Sequence, residues 1–366
     1  MNLARKSLFI LACAGIVTAA VYTSGCGGNS KLLLDHTKPA FEKLSEYNLF
    51  KGNMADLVPN DELLPYDLNT PLFSDYAEKA RFVFVPKQDG TYATYNNEDG
   101  LVELPVGSVL IKNFFYPIDA GNPAKGRRII ETRMLVHREN GWDADTYVWN
   151  ADQTEAVKEI AGSQFPISFV NKNGKKIDIN YAVPNKNQCA GCHEIGGKIT
   201  PIGPKLGNLN KDYHYADGVK NQLSKWVDVG ILKELPKKPG AINTYAVWDN
   251  PKTGSLDARA RAWLDVNCAH CHNPKGPAKN SGLDLRITQL NPASWGVMKG
   301  PVAAGNGAGN KTVDIDPGNP DNSILLYRLE STESEVMMPE LGRSLVHVES
   351  VELIKDWILA MKPKVQ

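Results

Sequence analysis

The sequence predicts a multidomain α+β protein: a β-rich, sandwich- or barrel-like unit over residues 41–183, followed by a mainly α-helical region. Three observations predict this. The first half holds runs rich in β-branched and aromatic residues, including "ARFVFVP", "LVELPVGSVLIKNFFYP", "RRIIETRMLVHR" and "KKIDINYAV". Turn-forming stretches such as "NNEDG", "AGNPAKG", "RENG" and "NKNG" separate them at hairpin-like intervals. After Pro184 the period changes, and apolar residues recur three and four positions apart.

The chain opens with the basic residues Arg5 and Lys6 and an apolar run from Ser7 to Tyr22. That run is short for a membrane span and reads as an export signal over residues 1–25. Residues 26–40 then form a tether. "TSGC", ending at Cys26, resembles the lipobox of bacterial lipoproteins, with Thr23 in place of the usual aliphatic residue. The resemblance implies a lipid on Cys26, and Gly27 after it implies passage to the outer membrane; the alternative is ordinary cleavage and a soluble periplasmic protein. The 41 basic and 41 acidic residues balance, which argues against nucleic acid or a polybasic membrane patch as partner.

The β-rich segment 41–183 contains "TRMLVHR", whose imperfect alternation suits a strand buried mainly on one face. In "ADGVKNQLSKWVDVG", Val219, Leu223, Trp226 and Val227 fall at helical spacing, with Asp217 as N-cap and Gly230 as stop. The Pro/Gly-rich stretch from Leu235 to Gly254 reads as a linker or extended wrap and closes a segment, 184–254, that holds the first of the two cysteine motifs and so reads as the first cofactor-binding segment. "SLDARARAWLDVN" predicts a helix with Leu256, Ala260, Trp263 and Leu264 inward. A last helix carries Val351, Ile354, Trp357, Ile358 and Met361 as its apolar stripe.

Of the 6 cysteines, Cys13 lies in the leader and Cys26 is the lipid candidate. The others, Cys189, Cys192, Cys268 and Cys271, form two C-x-x-C-H motifs, "CAGCH" and "CAHCH". This is the attachment signature of c-type haem. In a helical turn the cysteines are an i, i+3 pair, and the histidine, i+4 from the first, lies on the same side. Two thiols can then form thioethers to one porphyrin while His193 or His272 meets its iron. The reading is two covalently bound c-type haems. A four-thiolate zinc site would explain neither histidine, and a thioredoxin-like pair would need one motif and a βαβ setting.

The second motif resembles a class I cytochrome c module over residues 255–366: a helix precedes Cys268, "SEVMMPELG" follows, and a helix closes the chain. The resemblance implies that a methionine before proline supplies the sixth ligand, here Met338, with Met337 as the alternative. His/Met ligation suits electron transfer. "IGPKLG" after the first motif resembles the same class at Pro204 and Leu206, yet no methionine lies between His193 and Met298. His214, Met134, His137 and Met54 are candidate ligands there, and an open iron is the alternative. His270 is expected to face solvent beside the porphyrin edge. His36 and His347 have no recognisable partners, and Trp263 and Trp357 either flank the haem or simply pack between helices.

Taken with "LNTPLFSDYAEKARFVFVP", "ETRMLVHRENGW", "DPGNPDNSILLYRL" and "MMPELGRSLVHVESVELIKDWI", the chain resembles a family of bacterial diheme c-type cytochromes over nearly all of its mature length. The resemblance implies a β-rich domain joined to a cytochrome c-like diheme region and no particular substrate. The expected function is single-electron transfer between exported redox partners. The alternatives are a diheme peroxidase-like enzyme with an open first haem and a redox subunit that docks a dehydrogenase through its β domain.

Overall fold

A computed structural model describes residues 31–87, 90–236 and 242–362. The expected export signal and the expected lipid site at Cys26 lie outside these residues. At the centre is one antiparallel sheet of six strands, in the order β1-β2-β5-β6-β7-β8. These are β1 (Leu64–Tyr66), β2 (Glu78–Phe84), β5 (Val109–Pro117), β6 (Arg127–Arg138), β7 (Gly141–Trp149) and β8 (Ala156–Glu159). Two short strands, β3 (Thr94–Tyr95) and β4 (Val102–Glu103), pair separately. The hairpin of β9 (Ser163–Val170) and β10 (Lys176–Val183) lies against one face of the sheet.

The two faces differ in chemistry, because successive side chains point to opposite sides. One face buries Phe82, Ile111, Met134, Val136, Tyr147 and Trp149 against Leu44, Leu49 and Leu57 of the N-terminal segment. The other is apolar at both ends. Val83 and Leu110 meet Leu206, Leu209, Leu223 and Trp226, while Phe114, Tyr116 and Ile130 meet Ile167, Phe169 and Tyr181 of the hairpin. Between these two clusters the strands carry charges. The register slips between Phe114 and Phe115, and this bulge brings the consecutive residues Ile130 and Glu131 both to the second face, Ile130 into the apolar cluster and Glu131 to the Tyr181 hydroxyl.

Beyond β10 come α1 (Lys186–His193), β11 (Glu194–Ile195), β12 (Lys198–Ile199), α2 (Leu206–Leu209), β13 (Asp212–Tyr215), β14 (Gly218–Asn221) and α3 (Gln222–Asp228). Then follow α4 (Leu256–Asn267), α5 (Pro292–Trp295), α6 (Ile324–Glu330) and α7 (Val348–Ala360). Ser255 caps α4 by accepting from the Ala258 amide at 3.1 Å. The helices α4 and α7 pack on each other through Ala260, Trp263, Leu264, Ile354, Trp357 and Ile358.

Three expectations are corrected. The β-rich half is an open single sheet with a hairpin laid on it, neither sandwich nor barrel, because loops and short helices cover its faces where a second sheet was expected. The C-terminal region is not a mainly helical cytochrome-like region: helix accounts for only 23 % of the described residues. Glycine- and proline-rich stretches such as "NPKGPAKNSG" and "KGPVAAGNGAGNK" hold long loops between α4 and α7. Finally, Asp217 and Val219 lie in the hairpin β13–β14, and α3 starts only after it, capped by Asn221. The turn at Gly218, with φ +123°, suits a glycine and interrupts the helical reading.

The sheet is tied to the C-terminal region through Asp75, in the loop before β2. Its buried carboxylate accepts from the Ser344 amide and hydroxyl, both at 2.8 Å, and from the Leu345 amide at 2.8 Å. Replacing Asp75 with Ala leaves these donors unpaired and is expected to lower stability by about 2–3 kcal/mol. The exposed Asp152→Ala change should stay within about 0.5 kcal/mol. Urea midpoints measure both, and equal midpoints would show that the Asp75 contact does not hold these segments together.

Candidate functional site

The first motif is the last turn and a half of α1. Asn185 and Gln188 cap the helix reciprocally, each side chain accepting the other's amide at 2.9 Å. Cys189, Cys192 and His193 are each partly buried. After His193 the chain reverses through Gly196 and Gly197, with φ of +61° and +80°, the pair of positive angles that a two-residue hairpin turn requires. The reversal returns Thr200 to His193. The Thr200 amide donates to the His193 carbonyl at 2.7 Å, and His193 Nδ1 lies 2.9 Å from the Thr200 carbonyl. A carbonyl only accepts, so Nδ1 carries the proton and Nε2 keeps its lone pair.

The second motif begins where α4 ends, at Cys268. A single turn follows, in which the His272 amide donates to the Cys268 carbonyl at 2.9 Å. Asn273 reaches back to the Ala269 carbonyl at 2.8 Å. Gly276 then passes so close that a Cβ there would meet the Cys271 carbonyl oxygen at 2.3 Å. This tight return carries Ser281 to His272 Nδ1 at 3.0 Å. The Ser281 hydroxyl donates to the Ala278 carbonyl at 2.7 Å, so it accepts from Nδ1–H, and again Nε2 is left with its lone pair. Among the described residues neither His193 nor His272 makes a hydrogen bond through Nε2. Burial pushes His193 down to about 3 and His272 to about 4, so both rings are neutral at neutral pH. A neutral imidazole held by its other nitrogen is the form that binds a metal.

The two motifs meet. The ligand atoms of Cys192, His270 and Cys271 all lie within 4.8 Å of one another. Cys271 Sγ is 3.8 Å from the Gly191 carbonyl, and the Gly196 amide donates to the Lys275 carbonyl at 3.1 Å. The neighbouring Cys271 side chain and then His270 hold Cys192 below the usual thiol range against burial; Cys271 is correspondingly raised. Burial pushes Cys268 up to about 12 and raises Cys189. His270 is buried, and its Nδ1 has no partner among the described residues, contrary to the expected solvent-facing position; the other motif covers it. Cys189 and Cys268 are absent from the cluster, so the four cysteines do not assemble a four-thiolate site.

The "MMPELG" loop lies against this joint. Leu341 Cδ1 is 3.2 Å from where a Gly191 Cβ would stand. Arg343 closes the loop, donating to the carbonyls of Met338 at 3.0 Å, Leu345 at 3.1 Å and Ser331 at 2.8 Å. Its charge reaches Cys268, and that of Glu340 reaches Cys271. Met337 and Met338 are both half-buried.

The other ligand candidates are placed elsewhere. Met134 is buried in the core on the opposite sheet face from Arg133, and it is Arg133 whose charge reaches the first motif. Met54 packs against the same core as Met134. His137 stacks on Trp142 at 4.5 Å and bonds the Leu104 carbonyl at 2.8 Å. His214 is exposed on β13. His36 lies 3.7 Å from Glu139, and His347 stacks on Phe73 at 4.1 Å. Trp263 and Trp357 share the core between α4 and α7.

No protein-family model, curated protein or solved structure matches the chain.

Sequence reasoning missed Lys112, Glu131 and Arg133, which face the first motif. Their signal was a charge inside strands apolar on both sides, "VLIKNFF" and "IIETRML".

The cysteine polarities are testable in haem-free chain. Iodoacetamide at about pH 6.5 should label Cys192 faster than Cys268, by about tenfold or more, because the thiolate is the nucleophile. The advantage should fade as the pH falls into the acid range, where the lowered Cys192 thiol finally protonates. Peptide mass mapping reads the order, and equal labelling would contradict the contact.

Proposed function

We propose that this protein is an exported diheme c-type cytochrome that carries single electrons between periplasmic or outer-membrane redox partners, anchored by a lipid on Cys26. The observation that supports it best is the meeting of the two C-x-x-C-H motifs at Cys192 and Cys271, within 4.8 Å. A thioether joins the sulfur to the porphyrin edge, so two macrocycles attached there would have neighbouring edges. Electron tunnelling decays exponentially with distance, and neighbouring edges favour exchange between the two irons.

The donor set fits the group. Cys189 and Cys192 would hold one macrocycle, Cys268 and Cys271 the other. His193 and His272 present Nε2 lone pairs, their rings oriented by Thr200 and Ser281. When bound, each haem supplies a one-electron iron couple whose potential its axial ligand, burial and hydrogen bonds set. Met338, held in a loop that Arg343 closes, would supply the second haem with a thioether ligand in this reading.

A second reading has an observation of its own. Met134, Met54, His137 and His214 all have other placements, which favours an open first iron and a diheme peroxidase-like enzyme. Carbon monoxide separates the two: low-spin haems that ignore it support electron transfer, and rapid binding at one haem supports catalysis.

The cytochrome reading predicts a haem-staining band on denaturing gels of protein from cells competent in cytochrome maturation, with intact mass raised by two haems. A colourless band with the bare polypeptide mass would refute it. Met338→Ala should lower the potential of one haem and open it to carbon monoxide; an unchanged titration would remove Met338 as ligand.

A further inference from the structure

Between its two apolar clusters, the second face of the sheet carries a row of cations. The strand register places Arg81 opposite Lys112, and Lys112 opposite Arg133. Lys79, two residues before Arg81 on β2, shares the face. Like charges directly across strands repel, so such a rung needs anions to hold it.

The protein supplies two. Asp67 pairs with Arg81 at 2.9 Å. Glu131, fully buried, accepts from Arg133 at 2.9 and 2.5 Å and from the Tyr181 hydroxyl at 2.6 Å. Both its oxygens are thereby engaged. The lysines are left over. Lys79 donates to the Leu72 carbonyl at 2.8 Å and lies over the Phe114 ring. Lys112 has one contact among the described residues, the Phe114 ring at 5.5 Å from its Nζ. Burial and the neighbouring cations push Lys112 down to about 7 and Lys79 well down, the consequence of charges without counterions in a poorly solvated place. Desolvating an unpaired ammonium is costly.

The first motif lies over this rung. α1 packs on β7, next in the sheet to β6. The charges of Lys112 and Arg133 reach both the Cys189 thiol and the His193 imidazole. At His272 the cations felt are instead Arg328 and Lys299. The Lys112 and Arg133 part of the rung therefore bears on the first motif and not on the second. A haem attached at Cys189 and Cys192 brings two carboxylates with it, and two lysines here lack an anion.

We propose that Lys112 and Lys79, braced by Arg81 and Arg133, seat the propionate carboxylates of the haem attached at Cys189 and Cys192. This rests on the cytochrome reading. The two faces of the sheet then have separate roles, the first sealing the core and the second forming the charged wall of the first haem pocket. Charge-assisted hydrogen bonds from lysine to carboxylate are among the stronger polar contacts, and here they would also raise the potential of the first haem by disfavouring its oxidised, more positive state.

The test compares Lys112→Met with wild type in haem-loaded protein, and Lys79→Met serves if the first variant folds poorly. Redox titration should show one haem shifted to lower potential and the other unmoved. Resonance Raman should show altered propionate bending modes, with low-spin markers and haem content retained. Potentials and propionate modes identical to wild type in either folded variant would overturn the assignment. The same anion chemistry could come from solution, so wild type is also titrated with inorganic phosphate. No response is expected; a saturable shift that Lys112→Met abolishes would assign the seat to a free anion instead. Protein without haem would sink the cytochrome reading itself, whereas haem-loaded protein indifferent to Lys112→Met sinks only this inference.

Discussion

The contact between Cys192 and Cys271 is the constraint on which the rest of the molecule turns. These residues are far apart in sequence, and every segment around them is shaped to let them meet. The Gly196–Gly197 reversal holds His193 while passing its own amide to the Lys275 carbonyl. The tight passage at Gly276 folds the second motif back on itself. The "MMPELG" loop closes over both, with Leu341 against Gly191. Moving either motif would expose buried His270 and separate the Cys192 and Cys271 sulfurs from it and from each other.

The sheet supports this joint from below. Its first face is an ordinary apolar core sealed by the N-terminal segment. Its second face divides into two apolar patches with charge between them, and the first motif stands above the charged part. The buried Lys205–Asp265 pair, at 2.9 Å, links the segment after the first motif to the helix before the second. Tyr245 and the Ile287 amide complete the hydrogen bonds of Asp265, which is the condition under which a buried charge pair is tolerated. Strand, loop and helix thus share one assembly around the two motifs.

Part of this was legible in the sequence. Local signals were reliable where one physical cause dominated: β-branched runs between turn residues marked the long strands, and the helical spacing of Leu256, Ala260, Trp263 and Leu264 marked α4. The spacing of the cysteines and histidines placed both sets of donors. What covers a sheet face is a tertiary matter, and nothing in "RRIIETRMLVHR" states that loops rather than a second sheet lie above it. Helical spacing misled at Val219, where Gly218 allowed a hairpin turn that put this valine in solvent, 58 % exposed. The meeting of the motifs had no sequence signal at all, because it depends on the packing of segments distant in the chain. The lysine rung had one, a charge flanked by apolar residues on both sides, but its meaning appears only when three strands are aligned.

Circular dichroism in the Soret band tests most directly whether two covalent haems sit edge to edge at this joint. The comparison is between wild type and a Cys189→Ala/Cys192→Ala variant that carries only the second haem. Neighbouring macrocycles couple excitonically, so the wild type should give a bisignate signal that collapses to a single band in the variant. A wild-type protein bearing two haems, whose spectrum is the plain sum of two isolated ones, would contradict the account.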